Sequence, residues 1–290
     1  MTNVGETLAH ASLSIDPLDA QYLLADLLGI GRASLLAHPE RLLTSHESST
    51  FATHSDQRAR GMPVAYLIGK REFYGREFYV NDNVLIPRPE TELLVEQALV
   101  RLPSDLVPAI RASASVSPSE TAERPSMLDL GTGSGAIAVS LALERPDAMV
   151  VAADISSDAL KIAGENARRL HAAVTFVASD WYANLVGRKF DLIVSNPPYV
   201  SGGDVHLSQG DLRFEPQIAL TDESGDGLRS IRTIIDGAAA HLRPRGWLLV
   251  EHGYDQANAC RELLLKAGFA NLTSVSDLAG IPRVAGGQIG

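Results

Sequence analysis

Apolar positions recur at three- and four-residue spacing near the start of the chain and in short continuous runs further on. Leu23, Leu24, Leu27 and Leu28 mark one face of a helix, with Gly29 a natural stop. Leu35 and Leu36, then Leu42 and Leu43, then residues 55–60 suggest further helices, so residues 1 to about 70 read as a small helical bundle. The segment 72–86 has aromatic and β-branched residues on either side of Gly75 and of Asn81-Asp82-Asn83, which predicts one or two hairpins. Pro87 and Pro89 then punctuate the chain, and 90–102 resumes a helical pattern. Pro89 suits its first turn, and the carboxylates of Glu90 and Glu92 suit its positive end.

From Met127 onward, strand and helix patterns alternate. Short apolar runs at 127–130, 149–154, 174–178, 190–195 and 247–251 are separated for the most part by helical stretches at 158–170, 227–242 and 256–267. Such alternation predicts an α/β fold, a parallel sheet with helices on both faces. Residues 103–125 are rich in Ser, Ala, Pro and Glu with weak periodicity, and read as a flexible, exposed insertion.

Composition narrows the class. In 290 residues, 45% of them hydrophobic, no run is apolar enough to span a membrane. Residues 1–19 lack the basic start and apolar stretch of a signal peptide. A lone cysteine, Cys260, cannot form a disulfide within the chain, which fits a reducing, cytoplasmic setting. The net charge of −10 gives little general attraction to a phosphate backbone and leans towards a protein or small-molecule substrate rather than nucleic acid. The histidines show no metal-ligand spacing, so no metal is expected, and a monomer is the expected state.

Two motifs carry chemistry. Asp129-Leu-Gly131-Thr132-Gly133-Ser134-Gly135 follows a predicted strand and opens a helix, where glycines let the backbone turn tightly against a ligand. About twenty residues on, the next strand ends in Asp154, whose carboxylate can accept from both hydroxyls of a ribose. Together they describe a nucleoside-bearing cofactor at the carboxyl ends of parallel strands. The spacing Gly-x-Gly-x-Gly departs from the dinucleotide fingerprint and favours S-adenosylmethionine, with other nucleotides and ordinary turn glycines as the alternatives. Trp181 follows the third strand, placed either against adenine or in the core.

The second motif, Asn196-Pro197-Pro198-Tyr199, directly follows the run 190–195, on the same rim as the glycine loop. An NH2 group has two hydrogens to donate, and the Asn196 side-chain oxygen and the Pro197 carbonyl can accept one each. An amide nitrogen is a poor nucleophile because its lone pair is delocalised. Acceptors on both hydrogens stabilise the positive charge that grows as it attacks a methyl group. Tyr199 can close over the planar group and exclude water.

These residues resemble the amino-methyltransferases, which act on adenine N6 or on protein glutamine. Three further segments narrow the resemblance: Pro63-Val-Ala-Tyr-Leu-Ile-Gly69 with Glu72-Phe-Tyr-Gly75, Val84-Leu-Ile-Pro-Arg-Pro-Glu-Thr-Glu92, and Gly210-Asp-Leu-Arg-Phe-Glu-Pro216. With these the chain is similar to the peptide chain release factor glutamine methyltransferases, the PrmC/HemK family, from the N-terminal helices to Arg283-Val284. The resemblance implies an N-terminal helical docking domain (1–71), a β-hairpin linker (72–88) and a Rossmann-like class I methyltransferase domain of seven strands (89–290). It implies S-adenosylmethionine held by Gly131, Thr132, Gly133, Ser134, Gly135, Asp154, Trp181 and Asn196. The target implied is the glutamine of the Gly-Gly-Gln loop of class-1 release factors, held by Asn196, Pro197, Pro198 and Tyr199. Asn196, Pro197 and Tyr199 are the residues expected to act in catalysis.

The chain departs from the family pattern in the long insertion and in its end, Gly286-Gly-Gln-Ile-Gly290, which leaves the register of the last strand open. That end repeats the target tripeptide, yet 281–285 reads as a strand that would tether it away from Asn196, so self-methylation is not expected. Competing readings are a ribosomal-protein glutamine or an adenine as target. A nicotinamide-dependent oxidoreductase lacks its hydride-handling residues here, and a non-catalytic cofactor-binding protein would not need Asn-Pro-Pro-Tyr.

Overall fold

The computed structural model describes residues 2–102 and 124–290, so the insertion expected at 103–125 falls outside the described residues except for its last two. Five helices open the chain: α1 (Val4–Ala11), α2 (Pro17–Leu27), α3 (Arg32–Ala37), α4 (Ser45–Ala59) and α5 (Val64–Ile68). Local chemistry sets their ends. Asn3 with Glu6 and Thr44 with Glu47 form reciprocal caps at the starts of α1 and α4, and Asp16 caps α2 ahead of Pro17. Their apolar faces meet around Leu23, Leu24, Leu35, Leu43 and Phe51, a core separate from those of the sheet. Leu42 and Leu43, expected on a helix, are extended instead. The Thr44 cap starts α4 only after them, and Leu42 bridges Asn3 while Leu43 fills the core.

One hairpin follows, β1 (Lys70–Phe73) with β2 (Arg76–Tyr79), turning through Tyr74 and Gly75, both at positive φ. No second hairpin forms at Asn81-Asp82-Asn83. The Asn81 side chain accepts from the Asn83 backbone N–H at 3.0 Å, and Val80 and Val84 pack against Ala159 and Ile162.

The remaining elements are α6 (Glu92–Arg101), β3 (Ser126–Leu130), α7 (Ala136–Glu144), β4 (Met149–Asp154), α8 (Ser157–Leu170), β5 (Val174–Ala178), β6 (Phe190–Ser195), α9 (Gln217–Leu220), α10 (Arg229–Ala238), β7 (Leu242–Glu251), α11 (Ala257–Lys266), β8 (Ala270–Ser276) and β9 (Pro282–Gln288). The seven strands of this sheet lie in the order β5-β4-β3-β6-β7-β9-β8. The sheet is parallel from β3 to β7, as expected, and at one edge β9 runs antiparallel to both β7 and β8. Only a tight turn joins β8 to β9, with Asp277 accepting from Ala279 and Ile281, and so short a link cannot carry a parallel crossover.

Side chains alternate across the sheet as the strand period demands. Met127, Leu192 and Val194 face a core with α6 and α7, whereas Leu128, Leu130 and Ile193 face one with α10 and α11. The strand order reverses between β3 and β6, and ligands of such sheets bind outside the carboxyl ends of the strands at that point.

Candidate active site

The glycine loop leaves β3 at this reversal. Gly131, Gly133 and Gly135 all have positive φ, and the loop is pinned to β4 by the Gly131 and Thr132 N–H groups, which donate to the Ala153 carbonyl at 2.8 and 3.0 Å. Gly135 is required twice: its φ is +81°, and a Cβ there would stand 3.0 Å from the Cβ of Ala163 on α8. Beneath the loop, buried Asn166 accepts from the Tyr79 N–H and donates to the carbonyls of Tyr79 and Ser134. It thereby ties the hairpin to the loop. Thr132 donates to Asp129 at 2.7 Å, and burial pushes the Asp129 carboxyl up to about 7.

Asp154 ends β4 facing the loop. Its two oxygens accept from the Gly133 and Ser156 N–H groups at 2.8 and 2.9 Å. Burial raises its pKa, opposed by those same backbone donors. Each carboxylate oxygen has a further lone pair, so the group keeps capacity for ligand hydroxyls.

A cavity of about 240 Å³ opens beside these groups, lined by Gly131, Gly133, Asp154, Trp181, Asn196 and Pro198 among others. The Trp181 ring closes on the loop, 3.7 Å from where a Gly131 Cβ would be. Thr132, Ser134, Gly135, Pro197 and Tyr199 are not among the residues that line it. Val84, Leu85, Pro216 and Ile218 do line it, although their apolar side chains carry no sequence signal for a ligand. The donor set fits S-adenosylmethionine: a loop free of side chains, an acceptor at the end of the second strand, and apolar and aromatic walls.

Asn196 has its NH2 turned away from substrate duty, donating to the buried Thr91 hydroxyl at 3.0 Å. Tyr199 directs its hydroxyl into the protein, donating to Glu251 at 3.2 Å, and burial beside that carboxyl raises the phenol's pKa, so it stays neutral. Gln256 donates to the carbonyls of Tyr199 and Asp226, both at 3.0 Å, which secures the turn after the two prolines. Gly227 packs so closely that a Cβ there would overlap the Tyr199 carbonyl, at φ +64°. Replacing Gly227 with alanine therefore costs about 1–3 kcal/mol of stability and lowers turnover by displacing the tetrapeptide. Thermal denaturation and initial rates check this, and an unchanged melting temperature would show that the turn does not need the glycine.

The segments quoted for the resemblance converge here. Tyr66 donates to the Val84 carbonyl at 2.6 Å, and buried Glu215 accepts from the Ile86 N–H at 3.1 Å and from Arg88 at 2.5 Å. Arg58 on α4 pairs with Asp19 and with Asp211, so the helical N-terminus touches the loop after the tetrapeptide. Thr91, Glu215, Glu251 and Gln256 had no reading from sequence. The signals available were the quoted segments that contain Thr91 and Glu215, and the position of Glu251, an acid at the carboxyl end of an apolar strand.

A seven-stranded Rossmann-like sheet with a glycine loop, a strand-end aspartate and Asn-Pro-Pro-Tyr on one rim defines a class I methyltransferase. Residues 2–69 match the PrmC N-terminal domain and residues 115–212 the Methyltransferase small domain. The chain is 50% identical over 282 residues to the release factor glutamine methyltransferase of Burkholderia pseudomallei (strain K96243), covering 95% of this chain and 93% of that one. It is 46% identical to that of Bordetella pertussis (strain Tohama I) over the whole of both chains. The chain belongs to the release factor glutamine methyltransferase family. Among solved structures, the T. thermophilus 16S rRNA N2 G1207 methyltransferase in complex with AdoMet and guanosine is similar with a TM-score of 0.52 at 21% identity, covering 76% of this chain and 50% of that one. That likeness concerns the fold alone.

Proposed function

We propose that this enzyme transfers a methyl group from S-adenosylmethionine to the side-chain amide N5 of the glutamine in the Gly-Gly-Gln motif of class-1 release factors. One observation carries the site reading: Asn196 lines the cavity beside the glycine loop with its NH2 already bound to Thr91, which leaves its oxygen to accept. S-adenosylmethionine, when bound, supplies a methyl group activated on a positively charged sulfur. Asp154 would hold the ribose hydroxyls, and Trp181 would pack against the adenine. Asn196 and the Pro197 carbonyl each accept a hydrogen from the glutamine NH2, orienting the nitrogen and stabilising the charge it gains. No strong base is required, because the N-methylated amide cation is very acidic and gives up its proton to solvent as the product leaves the site. Pro198 and Tyr199 keep the site closed to solvent while the nitrogen is held.

The N-terminal helices serve as the docking surface for the release factor. Their own core supports them as a unit, Leu18, Tyr22 and Leu36 are exposed on them, and Arg58 links them to the loop beside the site. We read the chain as a cytoplasmic monomer that does not engage nucleic acid directly, in keeping with its net charge of −10. Among the described residues, no helix is long and apolar enough to cross a membrane.

Mass spectrometry of purified release factors after incubation with enzyme and cofactor tests the assignment. The expected product carries one added methyl on the glutamine of Gly-Gly-Gln, and a methyl on any other residue, or none, overturns it. The arm with cofactor and enzyme alone leaves Gln288 unmodified. Gly286, Gly287 and Gln288 are paired along β7 opposite Leu249, Leu248 and Trp247. The Gln288 amide is engaged as well, donating to the Arg245 carbonyl and accepting from Asn271, both at 2.8 Å.

A further inference from the structure

Two walls of the cavity come from outside the sheet and from distant parts of the chain. Asn83, Val84 and Leu85 line one, and Pro216, Ile218 and Ala219 line the other. Each is fixed on its own side. The Tyr66 hydroxyl holds the Val84 carbonyl, and the Val200 N–H donates to the Leu220 carbonyl at 2.9 Å. Neither wall belongs to a strand, so no ladder joins them. Glu215 does. It stands one residue before Pro216, and its carboxylate accepts from the N–H of Ile86, one residue after Leu85. Among the described residues, no backbone carbonyl accepts from that N–H. A buried N–H without an acceptor is costly, and so is a buried carboxylate without donors. Ile86 is 5% exposed and Glu215 3%, so each supplies what the other lacks. Arg88 brings a second donor to the other carboxylate oxygen. A carboxylate, which only accepts, suits two converging donors.

We propose that Glu215 is a positioning residue of the cofactor cavity, which clasps residues 83–86 to residues 215–219 and keeps the cavity closed around S-adenosylmethionine. The inference rests on this cavity being the cofactor site. A ligand enclosed by joined walls leaves slowly, and parted walls release it sooner. The hydrogen bonds of Glu215 reach neither the tetrapeptide nor the glycine loop. Its effect therefore falls on retention of the cofactor and not on the methyl-transfer step.

Glu215→Ala opens the clasp. Its Kd for S-adenosylmethionine rises about tenfold, the loss expected when hydrogen bonds to a charged acceptor disappear, and mostly as faster dissociation. At saturating cofactor its kcat stays within about threefold of the parent, so the defect appears in the KM for cofactor. Glu215→Gln keeps the length and an oxygen for the Ile86 N–H, while Arg88, partly open to solvent, turns to water. That variant recovers most of the affinity. Glu215→Asp keeps the charge but draws it back by one methylene, and binds as weakly as Glu215→Ala. It also carries the test if Glu215→Ala does not fold. Titration calorimetry and stopped-flow release measure these effects, with melting temperatures to show each variant folded. A Glu215→Ala or Glu215→Asp enzyme with the parental affinity overturns the proposal. So does a Glu215→Gln as weak as Glu215→Ala, which assigns the effect to the charge opposite Arg88. A fall in kcat in step with the affinity overturns it as well, and assigns Glu215 to general packing. Asp154→Ala titrated alongside separates the two readings. If it too binds as the parent does, the cavity is not the cofactor site; if it is weak while Glu215→Ala is not, only the clasp fails.

Discussion

Asn196→Ala lowers kcat about 10²–10³-fold, the loss seen when one preorganised partner of a developing charge is removed. The cavity keeps its glycine loop, Asp154 and Trp181, so the cofactor still binds, with an affinity reduced only by the lost wall contact. The effect belongs to kcat because the Asn196 oxygen matters most when charge grows on the attacking nitrogen. The vacated Thr91 hydroxyl also loses the NH2 that it accepts from, at 3.0 Å. Single-turnover rates with a whole release factor measure the effect, and near-normal turnover would remove Asn196 from the mechanism.

Asp154→Ala raises the Kd for S-adenosylmethionine about ten- to a hundredfold, the equivalent of about 1.5–3 kcal/mol for hydrogen bonds to a charged acceptor. Part of that loss is indirect. The carboxylate also receives the Gly133 and Ser156 N–H groups, so its removal loosens the loop that surrounds the cofactor. Saturating cofactor recovers most of the turnover, which distinguishes this variant from Asn196→Ala. The sign of the pH effect follows from the raised pKa of Asp154. A raised pKa means that the carboxylate takes up a proton earlier on acidification than an ordinary aspartate. Cofactor affinity therefore declines on lowering the pH, beginning above the normal aspartate range. Calorimetric titration reads both effects, and an unchanged Kd in Asp154→Ala would place the residue outside the site.

Much of this protein was legible as a string of residues. The runs Met149–Asp154, Val174–Ala178 and Phe190–Ser195 are strands with the boundaries their apolar pattern marks. Strand cores are short-range objects, set by which neighbours are apolar and where charged residues or glycine interrupt. The glycine loop and Asn-Pro-Pro-Tyr were equally visible, because both consist of residue types whose backbone behaviour is unusual wherever they occur.

Other features needed the fold. Leu42 and Leu43 look helical by composition, but the cap at Thr44 begins the next helix beyond them. The helical pattern over 227–242 ends at Ala238, and its last residue begins β7, since the ten-residue strand Leu242–Glu251 is stabilised by pairing with β6 and β9. The tail Gly286-Gly-Gln reads as a copy of a target loop, yet its glycines serve close packing. A Cβ on Gly286 would stand 2.5 Å from the Leu248 carbonyl oxygen.

By itself the sequence determined the class of fold, the glycine loop and the tetrapeptide at the strand end, since each is written in contiguous residues. Tertiary structure alone decided which way Asn196 faces. Thr91, Asn196, Tyr199 and Glu251 come from three separate parts of the chain, and a hydrogen-bond direction exists only once donor and acceptor are brought within reach.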